Sequence, residues 1–486
     1  MEEKTTTSQN QASNEQEQYC RQTGNLKQRL ARVKHSRWIR FIIVSHIFFF
    51  WVAWLGSWWI ALFWFLLADI YLTQFIPWDG WKAIKNKPLR TVMSYVDAFV
   101  YAVVLVYFLF LYVGQNYQIP SSSLEKTLLT GDYLWVNKMV YGPRVPQTPL
   151  HFPLAQNTLP GGFKSYIEHP QVEYHRLKGF RNVERGDIVV FNFPAGDTVS
   201  TKISNPDYYR LCYDAGRDAV WSDKAQFGDI IWRPVDRRDA YVKRCIGLPG
   251  ETLKMVDGIV YINGKALQEP KNMQRNYVVE TDGTPISEAL FEEMGVSKEG
   301  QSMGGVTTPY GTFVQVLPLT QAMVKTLKAQ TYVKNVRFLK DDEVSLQDNV
   351  YTYPLGVRKT WTHNNYGPLW IPKKGTTLKL TVHNLPYYDR CIRVYEGNKV
   401  EVKNGTIYIN NRPATSYTFK MNYYWMMGDN RDNSSDSRYW GFVPEDHIIG
   451  TPMFVIISFD ADKSFPGNIR WNRLFIFPTI VSLTLT

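Results

Sequence analysis

The sequence predicts N-terminal transmembrane helices followed by a mainly β exported domain that carries an inserted α+β subdomain. Three observations predict it. Long apolar runs with basic flanks lie near the N-terminus. Short β-like runs broken by Gly, Pro and Asp follow after Tyr117. Helical periodicity is confined to patches such as Ser287–Met294 and Gln321–Ala329. The 486 residues, 44 % apolar and 20 % charged with 16 Trp, 30 Tyr and 26 Phe, suffice for a sizeable core and additional segments.

The first element, residues 1–37, is a polar and then basic tail. Its first 20 residues are low in apolar content, and seven Lys/Arg with no acid lie between Arg21 and Arg40. The formal charge of +11 concentrates beside the apolar runs, a pattern that fits an anionic lipid surface and argues against nucleic acid. Residues 38–77 are almost wholly apolar, interrupted at Leu55-Gly56-Ser57. Residues 78–94 carry Lys82, Lys85, Lys87 and Arg90, and residues 95–115 form a second apolar run with Asp97 as its one charge. A span of ~20 apolar residues crosses a bilayer, and basic flanks stay in the cytoplasm. A hairpin turning at Leu55-Gly56-Ser57, each arm somewhat short, followed by the 95–115 helix gives three spans. One long first span with the N-terminus outside is the alternative. Either parity delivers the rest of the chain outside, on an uncleaved anchor.

The exported part divides into residues 116–265, an insert at 266–388, residues 389–470 and a tail at 471–486 too short to span. Strands are expected at Asp132–Asn137, Asp187–Phe191, Asp229–Trp232 and Met453–Ser458. Lys243-Arg-Cys-Ile is followed by a run containing Asp257-Gly258, and Asp389-Arg-Cys-Ile by one containing Asn404-Gly405, with 16 and 17 residues from Cys to Tyr. Each copy reads as a strand leading to a hairpin, differing in that Lys243 is replaced by Asp389. A disulfide among Cys212, Cys245 and Cys391 is possible outside, with Cys20 on the cytoplasmic side. No CxxC or HExxH occurs and Asp429–Ser437 fails the EF-hand pattern, so neither metal nor cofactor is expected.

The candidate chemistry lies in Ile119-Pro-Ser-Ser-Ser-Leu-Glu-Lys-Thr-Leu128. Serine is a weak nucleophile until a neighbour takes its proton. Two lysines compete for that role. Ser123-x-x-Lys126 fits the acyl-serine motif of penicillin-interacting enzymes, but their S-D-N and K-T-G elements are missing. Lys243, in Tyr241-Val-Lys-Arg-Cys-Ile-Gly-Leu-Pro-Gly-Glu251, would share a strand face with Tyr241 and Cys245. Acting as a base near neutral pH requires burial, which lowers a lysine pKa by up to ~3–5 units.

Taken in order with Met426-Met-Gly-Asp-Asn-Arg-Asp-Asn-Ser-Ser-Asp-Ser-Arg-Tyr-Trp-Gly-Phe-Val-Pro444, these segments are similar to type I signal peptidase over about residues 115–265 and 385–460. The resemblance implies a signal-peptidase-like β-barrel or sandwich in the bacterial inner membrane, its catalytic domain on the outer side. It implies a serine endopeptidase cleaving signal peptides from exported preproteins after small side chains, with a functional link to the export machinery. Ser123 would be the nucleophile and Lys243 its base. Ser121 would serve the oxyanion hole, Ser434 would hydrogen-bond Lys243, and Asp429, Arg431, Asp436 and Arg438 would form structural salt bridges. The chain departs from the family's S-G-S-M-x-P-T-L at Ser122, Leu124 and Lys126. Ser122 is tolerable where φ is negative, Leu124 is a near volume match, and Lys126 has no assigned role. An inactive membrane-anchored scaffold is the remaining alternative; the presence of both Ser123 and Lys243 speaks against it.

Overall fold

The computed structural model describes residues 25–55, 58–76, 78, 80–152, 155–302, 304–343, 351–357, 360–478, 483 and 485. Cys20, the polar segment 1–24, the Gly56–Ser57 interruption and parts of the 471–486 tail lie outside the described residues. The chain divides into two units, Met1–Leu109 and Phe110–Thr486.

In the first unit a helix covers His35–Leu55. Trp58–Phe63, Trp64–Ala68 and Asp69–Thr73 follow as successive short helical pieces. This second arm packs back on the first, with Trp64 Nε1 donating to Ser45 Oγ at 2.9 Å. Arg29, ahead of the first arm, donates to the carbonyls of Thr73 and Gln74 at 3.2 and 3.1 Å, so both ends of the pair meet. A hairpin is therefore formed, but its arms are unequal. The first has spanning length, whereas the apolar return Ala61–Thr73 has 13 residues, about 20 Å of helix against a ~30 Å hydrocarbon core. The second helix long and apolar enough to cross a membrane is Lys87–Tyr112.

The second unit is mainly β. Its principal sheet has seven antiparallel strands in the order Gly114–Gln118, Asp132–Asn137, Ile448–Ser458, Ile188–Asn192, Ala240–Gly247, Tyr423–Met427 and Val443–Pro444. Four strands expected from sequence are present, as are the helices Glu288–Met294 and Gln321–Lys328. The Asp-Gly and Asn-Gly signals hold: Thr252–Val256 pairs with Ile259–Ile262, and Val400–Lys403 with Thr406–Ile409. Asp257 and Asn404 take φ of 47° and 48° ahead of left-handed glycines, as these tight hairpins require. The repeat fails upstream. Ala240–Gly247 is a strand, but Leu385–Arg390 is a helix continuing through Cys391–Tyr395. Pro386 at the helix start and the Arg393–Asp389 pair (2.9 Å, i,i+4) favour the helical choice.

Within the 266–388 stretch, Gly305–Thr307, Phe313–Leu319, Arg275–Thr281 and Val333–Phe338 form a four-stranded sheet. The helices around Leu290 and Leu327 share its core. Tyr366–Trp370, by contrast, pairs with Thr252–Val256, and Leu380 and Leu385 lie in the core shared with Trp425. The separately packed layer is thus narrower than 266–388. Cys212, Cys245 and Cys391 are all free thiols, so no disulfide joins them.

Candidate active site

Ser121 is extended (φ −141°, ψ 159°), and Ser122–Leu124 then makes a single 3-10 turn. The three serines are therefore not one extended segment. The turn nevertheless brings Ser121 Oγ to 3.5 Å from Ser123 Oγ, the former donating. Ser122 has negative φ, the condition under which it replaces glycine without strain. Leu124 and Leu128 are fully buried in one cluster with Leu134 and Val190, pinning the turn from below; each such burial stabilises by ~1.5–3 kcal/mol.

The turn packs against the Ala240–Gly247 strand. There Lys243 lies opposite Val189 and is 4 % exposed. Burial pushes its ammonium down to about 8, with Asp436 and Asp429 pulling upward and Arg438 downward. Among the described residues Lys243 makes no hydrogen bond or ion pair. Ser434 Oγ, expected to bond to it, is buried with no hydrogen-bond partner among the described residues; it sits instead beside Gly428. An added Cβ at Gly428 would meet Ser434 Oγ at 2.3 Å and the Ser123 carbonyl at 2.5 Å, so the backbone approach there excludes any side chain.

Three of the four expected structural charges form ion pairs at short distances. Asp436 and Arg438, both fully buried, form a 2.8 Å bridge; burial raises the Asp436 carboxyl, but the guanidinium outweighs it and holds it below the usual range. Asp429 pairs with Arg244 through two bonds of 2.7 and 2.6 Å, while Thr127 Oγ1 donates to Asp429 at 2.8 Å. Arg431 departs from expectation. It has no ion pair among the described residues, its Nε donates to the Gly428 carbonyl, and burial pushes it down to about 10.

Sequence reasoning missed Arg244, Thr127 and Asn430, whose N–H and Nδ2 donate to the carbonyls of Ser123 (3.1 Å) and Ser122 (3.2 Å). It also missed His363, whose Nε2 lies 2.8 Å from both Asp432 Oδ1 and Arg438 Nη1 and whose Nδ1 lies 2.7 Å from the Tyr439 hydroxyl. The Gly428-Asp-Asn motif was the available signal for Asn430; nothing in the sequence signals His363. Lys126 is not hydrogen-bonded to Ser123 among the described residues. Its ammonium donates to the carbonyls of Met294, at 3.3 Å, and Gly295. Its φ of 70° is a conformation that proline, locked near −65°, does not reach.

The protein-family description "Signal peptidase, peptidase S26" matches residues 92–307 and 415–457. The chain belongs to that family. It is 23 % identical over 393 residues to signal peptidase I of Buchnera aphidicola subsp. Acyrthosiphon pisum, covering 80 % of this chain and 82 % of that protein. Signal peptidase I of Haemophilus influenzae is 23 % identical over 401 residues, 80 % and 77 % of the two chains. That of Helicobacter pylori (strain 26695) is 22 % identical over 402 residues, 80 % and 94 %. As a family member the chain is a hydrolase, a membrane-anchored serine endopeptidase, and the expected enzyme class is met. A hydroxyl with a second hydroxyl beside it, next to a strand bearing a buried lysine free of ion pairs, can carry out acyl transfer.

Proposed function

We propose that the protein removes signal peptides from exported preproteins by a Ser123–Lys243 dyad. The observation that carries this is Lys243: buried, unpaired among the described residues, lowered to about 8, on the strand against which the Ser123 turn packs. Neutral Lys243 Nζ takes the Ser123 Oγ proton as that oxygen bonds to the scissile carbonyl carbon. The carbonyl electron pair moves onto oxygen, where the Ser123 N–H and the Ser121 hydroxyl stabilise it. Collapse breaks the C–N bond, and the Lys243 ammonium returns its proton to the leaving amine. Water then attacks the ester, Lys243 takes its proton, and Ser123 Oγ recovers one as the acyl–O bond breaks. Ser434, beside Gly428, would accept from Lys243 after a rotamer change when substrate is bound.

The β unit is read as a signal-peptidase-like barrel or sandwich carrying an inserted α+β layer. The two basic flanks are assigned to the cytoplasm of a bacterial inner-membrane protein with its catalytic unit outside, working beside the export machinery. Cleavage of a preprotein with an Ala-x-Ala site by the detergent-purified protein tests the dyad. Ser123→Ala and Lys243→Ala are each expected to lower kcat by at least about 10³-fold. Retention of rate by either would remove that residue from the mechanism.

A further inference from the structure

We infer that Lys126 is a positioning residue, clasping the nucleophile turn to the inserted layer so that the layer sets where Ser123 stands. The inference rests on Ser123 being the nucleophile. The helix Glu288–Met294 ends at Gly295, φ 64°, and leaves carbonyls without helical donors, as every helix C-terminus does. The Lys126 ammonium supplies donors to the carbonyls of Met294 and Gly295, which also places a cation where the helix dipole favours one. A Cβ at Gly295 would lie 3.1 Å from that nitrogen, so the lysine's approach fits a glycine there. The contact is returned: Asn272 Nδ2 donates to the Lys126 carbonyl at 3.1 Å, and the buried Glu125 side chain bonds to Ser297.

The opposite side of the turn is tied to the same layer at one remove. Asn430 holds the Ser122 and Ser123 carbonyls. Gln274 donates from its N–H to the Asp429 carbonyl (2.9 Å) and accepts from the Arg431 N–H (3.0 Å). The Asn276 N–H donates to Asp432 Oδ2 at 2.6 Å. Ser122–Leu124 is too short to hold its own geometry, since a lone turn fixes several dihedrals for one hydrogen bond. Its neighbours hold it, and Lys126 is the tether on the C-terminal side. A left-handed lysine is strained, a local cost that the two carbonyl bonds offset.

Lys126→Gly keeps the left-handed backbone without strain and removes the ammonium; Lys126→Arg keeps a cation that reaches the same carbonyls. On the Ala-x-Ala preprotein, Lys126→Gly is expected to lower kcat per folded enzyme roughly 10–100-fold, the scale of a ~1 Å misplacement. KM and the pH midpoint should hold, because Lys243 is untouched, and Lys126→Arg should recover most of the rate. Should Lys126→Gly express poorly, Asn272→Ala, an exposed side chain acting on the same turn, is expected to lower kcat in the same direction. Full kcat in Lys126→Gly and in Asn272→Ala would overturn the clasp while leaving the dyad standing. Abolished activity that arginine fails to rescue would make Lys126 the base, which arginine, permanently charged, does not replace. An active Ser123→Ala would instead remove the premise.

Discussion

Lys243 separates what the fold wants from what the chemistry wants. In the unfolded chain its ammonium has the ordinary value of 10.5, and in the folded protein about 8. Between those values the unfolded chain binds more protons, so the fold gains stability as pH rises through that window. Below pH 8 the buried ammonium costs about 3 kcal/mol, at 1.36 kcal/mol per pKa unit. Lys243→Met should therefore be inactive yet more stable than wild type at pH 7 by denaturant unfolding, and the gap should close as pH rises to 10.5. The same protonation governs turnover. In the proposed dyad only neutral Lys243 takes the serine proton, so kcat/KM should climb with pH to a midpoint near 8. A midpoint below pH 6, or equal stabilities of the two proteins at pH 7, would contradict this account of the lysine.

At the scale of elements, the loop that follows Met427 is held by pairings between residues far apart in the chain. Arg244 and Asp429 are each 1 % exposed and joined by two bonds, with Thr127 on the same carboxylate. Removing one partner leaves an uncompensated buried charge, a loss of ~3–5 kcal/mol. Asp429→Ala should show that loss in urea unfolding, and Asp429→Leu combined with Arg244→Met should recover most of it. A double variant no more stable than the single one would mean that the pair is not coupled. These pairings explain what was legible beforehand. The hairpins at Asp257-Gly258 and Asn404-Gly405 depend on two residues of turn chemistry and were readable. The family resemblance was readable because a whole ordered set of motifs, Ser121, Ser123 and Lys243 among them, carried it, and the chain belongs to that family. Asp389-Arg-Cys-Ile was misread because four residues identical in pattern to a strand sit behind Pro386 in a helix, and neighbours decide between the two. The Arg244–Asp429 bond, the unpaired Arg431 and the unbonded Ser434 depend on side-chain directions across the fold, which no local pattern encodes.

For the whole molecule, the unequal hairpin and the basic flanks make the same prediction. Arg29 bonds the carbonyls of Thr73 and Gln74, and its guanidinium lies 4.2 Å over the Phe75 ring. The start of the first arm and the end of the return are therefore at one level. A chain that crossed once over 38–77 would put those points on opposite faces of a ~30 Å core. The basic residues Lys27 and Lys85 flank that pair, and positive flanks are retained inside. With Cys20 and Cys212 replaced by serine, Lys27→Cys and Lys85→Cys in intact cells with a permeable outer layer should both resist a membrane-impermeant maleimide. They should both react once the inner membrane is opened. Tyr310→Cys, 95 % exposed in the inserted layer, should react before opening. Protection of position 85 with reaction at position 27 would show that the short arm does not return and that the 38–77 segment crosses once. Reaction at both before opening would reverse the orientation of the anchor and, with it, the compartment in which Ser123 meets its substrate.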